Sequence, residues 1–226
     1  MVLAPVDASG ARLFHRGEVG AAHVAAHRAL DERRIREGHD ALAAFLRDRT
    51  GAGSDWAHVQ WHLLVFELEL GQVHAAHARY RRQLLPAIRD GVALTDGPSA
   101  LWRLALDAPS LQLDWTDVCA VARRRLARRG EPDGPFVTLH HLLALAGAGD
   151  GPGLMAFAQR TGDGTLAACA RALAAWTLGE FDLVVMLLDD LTPAQRAHVG
   201  GSAAQNELLD RIRDAAADHA DHSMAA

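Results

Sequence analysis

The 226-residue sequence contains no lysine, so all 23 of its Lys/Arg-type cations are arginine. That absence removes chemistry. Schiff-base lysines, pyridoxal-phosphate anchors and the lysine of a phosphate loop are all excluded, and with them those enzyme classes. Aromatic residues are also scarce, at 5% beside 50% hydrophobic residues overall, so Leu, Ala and Val must fill the core. Ala and Leu favour helix, while strand formers are few. Composition points to an all-α fold.

Other absences narrow the class further. The two cysteines, Cys119 and Cys169, lie in apolar helical contexts and read as buried reduced thiols. No run approaches the roughly 20 apolar residues of a membrane span. The opening MVLAPVDASGARLF lacks a basic n-region and a long apolar core, so a cytoplasmic location is expected. Net charge is −5, and the densest basic run, Arg123 to Arg129, has no interleaved aromatics. It reads as a solvated helix end, and neither nucleic acid nor membrane is expected as a partner. A lysine-free, Arg- and Ala-rich chain suggests a high-GC genome of the actinobacterial kind.

What is present reads as helical hairpins. After a lead-in over 1–17, helices are expected at Glu18–Asp31 and Ile35–Arg49, the second with Ile35, His39, Leu42, Phe45 and Leu46 on one face. Ser54 or Asp55 is a plausible N-cap for a helix from Trp56 to Leu70, which Gly71 ends. Its partner runs from Gln72 to Leu85 and closes at Pro86. The first helices of the two pairs start about 38 residues apart, between the tetratricopeptide and HEAT periods. Further helices are expected over Ser99–Leu106, Trp115–Arg129, Phe136–Ala146, Gly164–Leu178, Glu180–Asp189 and Ser202–Ala217. The helical repeat domain thus spans 18–217, with a tail over 218–226 expected to fray. The first helix opens on Gly20-Ala21-Ala22-His23-Val24-Ala25-Ala26-His27, a surface of small residues without a polar capping face.

Several segments resemble the tetratricopeptide repeat protein 38 family. Ala22 to His27 looks like its paired-His helix, and Ala57-His58-Val59-Gln60-Trp61-His62 like its His-x-x-Trp-His helix. Asp96 to Leu104, Trp115 to Val118, His140 in its helix, and Gly200 to Gln205 continue the likeness in the same order. It covers about residues 18 to 215 and only the C-terminal half of the family pattern. It implies a tetratricopeptide-like superhelix. Leu30, Thr138 and the pair Asn206-Glu207 depart from the family's polar residues, so any polar site the family has is partly lost here.

His23/His27 and His58/His62 are spaced i, i+4, which puts each pair on one helix face. Both lie on the first helices of adjacent hairpins, so four imidazoles can converge. Histidine is the commonest metal ligand, but HxxxH without an HExxH glutamate carries no built-in base. The favoured expectation is therefore a polar groove or hydrogen-bonded core histidines, with no metal and no cofactor. Following the family order, the ligand groove or partner interface comprises His23, His27, His58, Trp61, His62, Trp102, Arg103 and His140. Trp61, Trp102 and Trp115 are expected to pack rather than to stack on a ligand. Asp31, Asp96, Asp107, Asp114 and Asp117 offer carboxylates, but their spacing singles out no pair.

The leading functional expectation is an obligate subunit, non-catalytic or site-completing. It would pair with a second protein chain that supplies the missing N-terminal repeats and stabilise a small-molecule biosynthetic enzyme. In an actinobacterial setting, a two-chain aziridine-forming synthase of the azinomycin type is a natural home, acting on a small-molecule or carrier-bound substrate. The alternatives are a stand-alone His-rich metal enzyme and a peptide-binding scaffold using Arg81, Arg82 and Arg103.

Overall fold

The computed structural model describes residues 12–13, 16–128 and 132–224. Most of the expected lead-in, Arg129 of the basic run and the last two residues of the tail lie outside them. The chain divides into two units, Met1–Ala100 and Leu101–Ala226. Both are all-helical apart from one short parallel pairing, and among the described residues no helix is long and apolar enough to cross a membrane.

The N-terminal unit contains β1 (Arg12–Leu13), α1 (Arg16–Asp31), α2 (Ile35–Leu46), β2 (Arg49–Thr50) and α3 (Gly53–Glu69). It continues with α4 (Val73–Arg79), a π-helical turn (Tyr80–Leu84), α5 (Leu85–Arg89) and the start of α6 (Asp96–Asp107). Strand β1 lies parallel to β2, with Arg12 opposite Arg49 and Leu13 opposite Thr50. Helices α1, α2 and α3 pack mutually around Val19, Ala26, Ala29, Leu42, Leu46, Trp56, Val59, Leu63 and Phe66. Gly38 of α2 permits this approach: a Cβ there would lie 2.5 Å from the Phe66 ring and 2.7 Å from Ala29. Helix α3 is buried on every side from Trp56 to Leu68 save for half-buried His58, which makes it the central rod of the unit.

Helix α1 starts at Arg16, inside the expected lead-in, and α6 starts at Asp96 rather than Ser99; three further boundaries differ for a local reason. Helix α2 stops at Leu46 rather than Arg49, because the Arg49 side chain folds back to donate to the Phe45 carbonyl. Helix α3 begins at Gly53, so Ser54 and Asp55 sit in its first turn and the extended residue Ala52 precedes it without a side-chain cap. Pro86 does not close the second hairpin, since helix resumes to Arg89. A proline lacks the N–H for the i−4 bond, and the wider π turn just before it accommodates that loss.

The C-terminal unit contains the rest of α6, then α7 (Thr116–Leu126), α8 (Pro135–Gly147), α9 (Gly151–Arg160) and α10 (Gly164–Leu178). It ends with α11 (Phe181–Asp189), α12 (Pro193–Val199) and α13 (Ala203–Met224). Helix α10 is its centre, packing on α8, α9, α11 and α12. Trp102, Trp115 and Trp176 meet edge to face, with Trp102 in the middle at 6.0 and 5.3 Å. Cys119 and Cys169 are both buried free thiols, and burial pushes the Cys169 thiol up to about 11.

Helices α9 and α12 escaped the sequence reading, although both carry start signals. Asp150 accepts from the Gly153 amide ahead of Pro152, and Thr192 and Gln195 form a capping box around Pro193. Helix α13 runs seven residues past the expected end at Ala217, through Asp218 to Met224, a stretch with neither Gly nor Pro to stop it.

Candidate metal centre

Helices α1 and α3 bring His23, His27, His58 and His62 together inside the N-terminal unit. The i, i+4 spacing places two rings on the facing side of each helix, and mutual packing of α1 and α3 closes the four into one cluster. One ligating nitrogen from each residue lies within 4.8 Å of all the others. His62 forms the floor and is fully buried, while the other three are half-buried around it.

The nitrogens face one another. His23 Nε2 lies 2.8 Å from His27 Nε2 and 3.0 Å from His58 Nε2. A ring nitrogen carries either one proton or one lone pair, so His23 Nε2 cannot make a full hydrogen bond to both neighbours at once. His62 is worse served, because neither of its nitrogens has a hydrogen-bond partner among the described residues. The expectation of hydrogen-bonded core histidines therefore does not hold for His62. A buried imidazole without partners carries a desolvation cost of about 1–3 kcal/mol. A cation at the centre of the four rings would accept every one of these lone pairs.

His58 is oriented from behind. Its Nδ1 donates to Oδ1 of Asp96, 2.9 Å away, and Asp96 is itself buried at the first position of α6. That bond fixes the tautomer, leaving the Nε2 lone pair pointed into the cluster. The His58 ring also stacks on Trp61, with 5.6 Å between centroids and 6° between planes. Trp61 is thus a packing residue against a cluster member, as its sequence context suggests.

Electrostatics divides the four. Burial lowers His23, and the neighbouring His58 and His27 lower it further against the pull of Asp96 and Asp55. Burial and His58 lower His27, opposed by Asp31. His62 is pushed well below the ordinary imidazole range by burial and then by His58, His27 and His23. Burial also works against the charged form of His58, but its hydrogen bond to Asp96 and the charges of Asp96 and Asp55 outweigh that and raise it. Three rings are therefore neutral near pH 7 and one holds its proton more tightly. Neutral imidazole is the ligating form.

The remaining site residues of the sequence reading belong to the C-terminal unit. Trp102 donates its indole N–H to the Leu143 carbonyl at 2.8 Å. Arg103 is buried. The Nδ1 of buried His140 lies 2.8 Å from the Phe136 carbonyl, a bond within its own helix. Its neighbour His141 instead reaches Asp133 at 3.0 Å, an aspartate also held by Arg125. Asp96 was not singled out in sequence. It lies 38 residues beyond His58, the spacing expected between the starts of the first two hairpins.

No protein-family model matches the chain, and no solved structure matches it.

Proposed function

We propose that the chain is a metalloprotein whose N-terminal unit holds one transition-metal ion on His23, His27, His58 and His62, with Asp96 orienting His58. The observation that carries this reading is the convergence of four imidazoles whose nitrogens lie within 4.8 Å, while fully buried His62 has no hydrogen-bond partner among the described residues. An all-imidazole donor set suits zinc, copper, iron or nickel and is wrong for calcium or magnesium, which take oxygen ligands. The carboxylate behind a ligating histidine is the usual outer-shell arrangement of such sites. Carboxylates at Asp31, Asp55 and Asp96 bias the surroundings towards a cation.

The test is metal analysis of untagged protein purified without affinity metal, followed by titration of the chelator-treated chain. One equivalent per chain is expected, with binding lost in His27→Ala and His62→Ala variants that keep their helical circular dichroism. Protein that neither retains nor takes up stoichiometric metal would overturn the reading.

A second reading is supported by the outer face of α1. Gly20, Ala21, Val24 and Ala25 are exposed, Val24 at 65%, and with Ala41 and Phe45 of α2 they line apolar grooves of about 380 and 690 Å³. In a tetratricopeptide-like superhelix this is the face on which a preceding hairpin packs. We infer that a separate chain supplying such hairpins docks there, as a subunit arrangement for a small-molecule enzyme requires. Co-expression with the neighbouring reading frames and a light-scattering mass checks it. A stoichiometric complex that dissociates on Ala25→Glu supports the arrangement, and a monomer under all conditions excludes it.

A further inference from the structure

The arrangement of the four rings says more than that a metal fits. Taken around the cluster in the order His23, His27, His62, His58, neighbouring ring centroids are 4.5, 4.4, 4.7 and 4.8 Å apart. The two cross distances are longer, 5.1 Å between His23 and His62 and 6.4 Å between His27 and His58. Four tetrahedral ligands would make all six separations alike. Five separations fall between 4.4 and 5.1 Å and the His27–His58 one stands at 6.4 Å, which describes a tetrahedron opened along one edge.

Only α1 and α3 supply the rings, and burial is one-sided, with His62 as the floor and the other three half-buried. The widest gap, between His27 and His58, is bounded by two residues of the half-buried rim. Asp31 acts on His27, and Asp55 on His58, so each side of that gap has a carboxylate within electrostatic reach.

Resting on the metal reading above, we infer that the centre is coordinatively open: the four histidines hold the metal with the His27–His58 edge spread apart, and an exchangeable water occupies a further position on that half-buried side. A small oxygen- or nitrogen-donor ligand replaces that water directly at the metal. Closed four-ligand sites serve structure, whereas a position open to solvent is what reactive sites retain. The substrate class is accordingly a small molecule that presents one donor atom, entering between His27 and His58.

The probes are cobalt(II), copper(II) and azide, on the full-length wild-type chain. Cobalt-loaded protein should show the weak visible absorption of five- or six-coordination, and copper-loaded protein should develop a saturable azide-to-copper charge-transfer band. Stoichiometric metal with intense tetrahedral cobalt absorption and no response to azide would overturn the open-site inference and leave the metal centre standing. Failure to bind either metal would remove the centre itself, and the inference with it.

Discussion

Asp96 Oδ1 lies 2.9 Å from His58 Nδ1, and through that one bond the first residue of α6 sets which nitrogen of His58 faces the cluster. Asp96→Asn should therefore weaken metal binding without dismantling the four rings. Outer-shell partners of ligating histidines are worth about 10–100-fold in affinity. The expected loss lies in that range, read by competition against a chelator, with helical content unchanged. An unaltered affinity would mean that Asp96 serves only folding.

The same bond fixes a pH dependence for binding. His58 has a raised proton affinity: burial opposes the charge, but Asp96 and Asp55 more than compensate. Metal must displace that proton, while the lowered values of His23, His27 and His62 leave those rings ready. Affinity should thus fall as pH drops through the raised His58 value, beginning above the ordinary imidazole point of about 6.5. In Asp96→Asn the fall should begin at lower pH. Calorimetry in two buffers of different ionisation heat should count close to one released proton on the acid side of neutrality.

Metal-free stability should respond to pH with opposite signs at His62 and His58. Its folded-state proton affinity is depressed, by burial first and then by the other three histidines. The unfolded chain then binds the proton more readily. The contribution of a neutral His62 is full above the ordinary imidazole value and is lost as pH falls from there towards the folded value. His58, being raised, contributes below the ordinary value and loses that contribution as pH rises. Wild-type protein should lose melting temperature between about pH 7 and 5. His62→Leu should flatten that decline. Equal slopes in the two proteins would show that His62 is not the titrating group.

The all-helical class and the convergence of the two His pairs were legible because each rests on local spacing. An i, i+4 pair shares a helix face wherever the helix sits, and two first helices of consecutive hairpins become neighbours. The partnerless state of His62 was not legible, since it depends on what every neighbouring element fails to supply. Asp96 was hidden for a related reason: its role comes from a third element, α6, 38 residues beyond His58. Helices α9 and α12 went unread, although Pro152 and Pro193 each stand at a helix start.

Behind the cluster, α3 is held by a buried ion pair. Glu67 accepts two hydrogen bonds from Arg79 at 3.0 and 2.7 Å, and Arg79 also donates to buried Gln60. Removing the guanidinium leaves Glu67 buried without its charge partner. Breaking such a pair typically costs about 3–5 kcal/mol, and the partial exposure of Arg79 places the expected loss near the lower end, about 3 kcal/mol. Urea unfolding of Arg79→Met should show it, and the Glu67→Gln, Arg79→Met double variant should recover a substantial part. Since α3 carries His58 and His62, the single variant should also weaken metal binding. A loss within about 0.5 kcal/mol would indicate an ordinary surface substitution instead.

In the C-terminal unit the corresponding weak point is Gly147, the last residue of α8. A Cβ there would enter the van der Waals envelope of the Trp115 ring, which faces it with three ring carbons. Trp115 cannot swing away freely, because its ring meets Trp102 edge to face at 6.0 Å. Trp102 is in turn pinned by its bond to the Leu143 carbonyl and by Trp176. Gly147→Ala should therefore act as overpacking and cost about 1–3 kcal/mol, despite the better helix propensity of alanine. Denaturation followed by tryptophan fluorescence should register the loss, and metal affinity at the four histidines should stay at the wild-type value. A more stable variant would mean that helix propensity outweighs the clash and that the tryptophan trio yields.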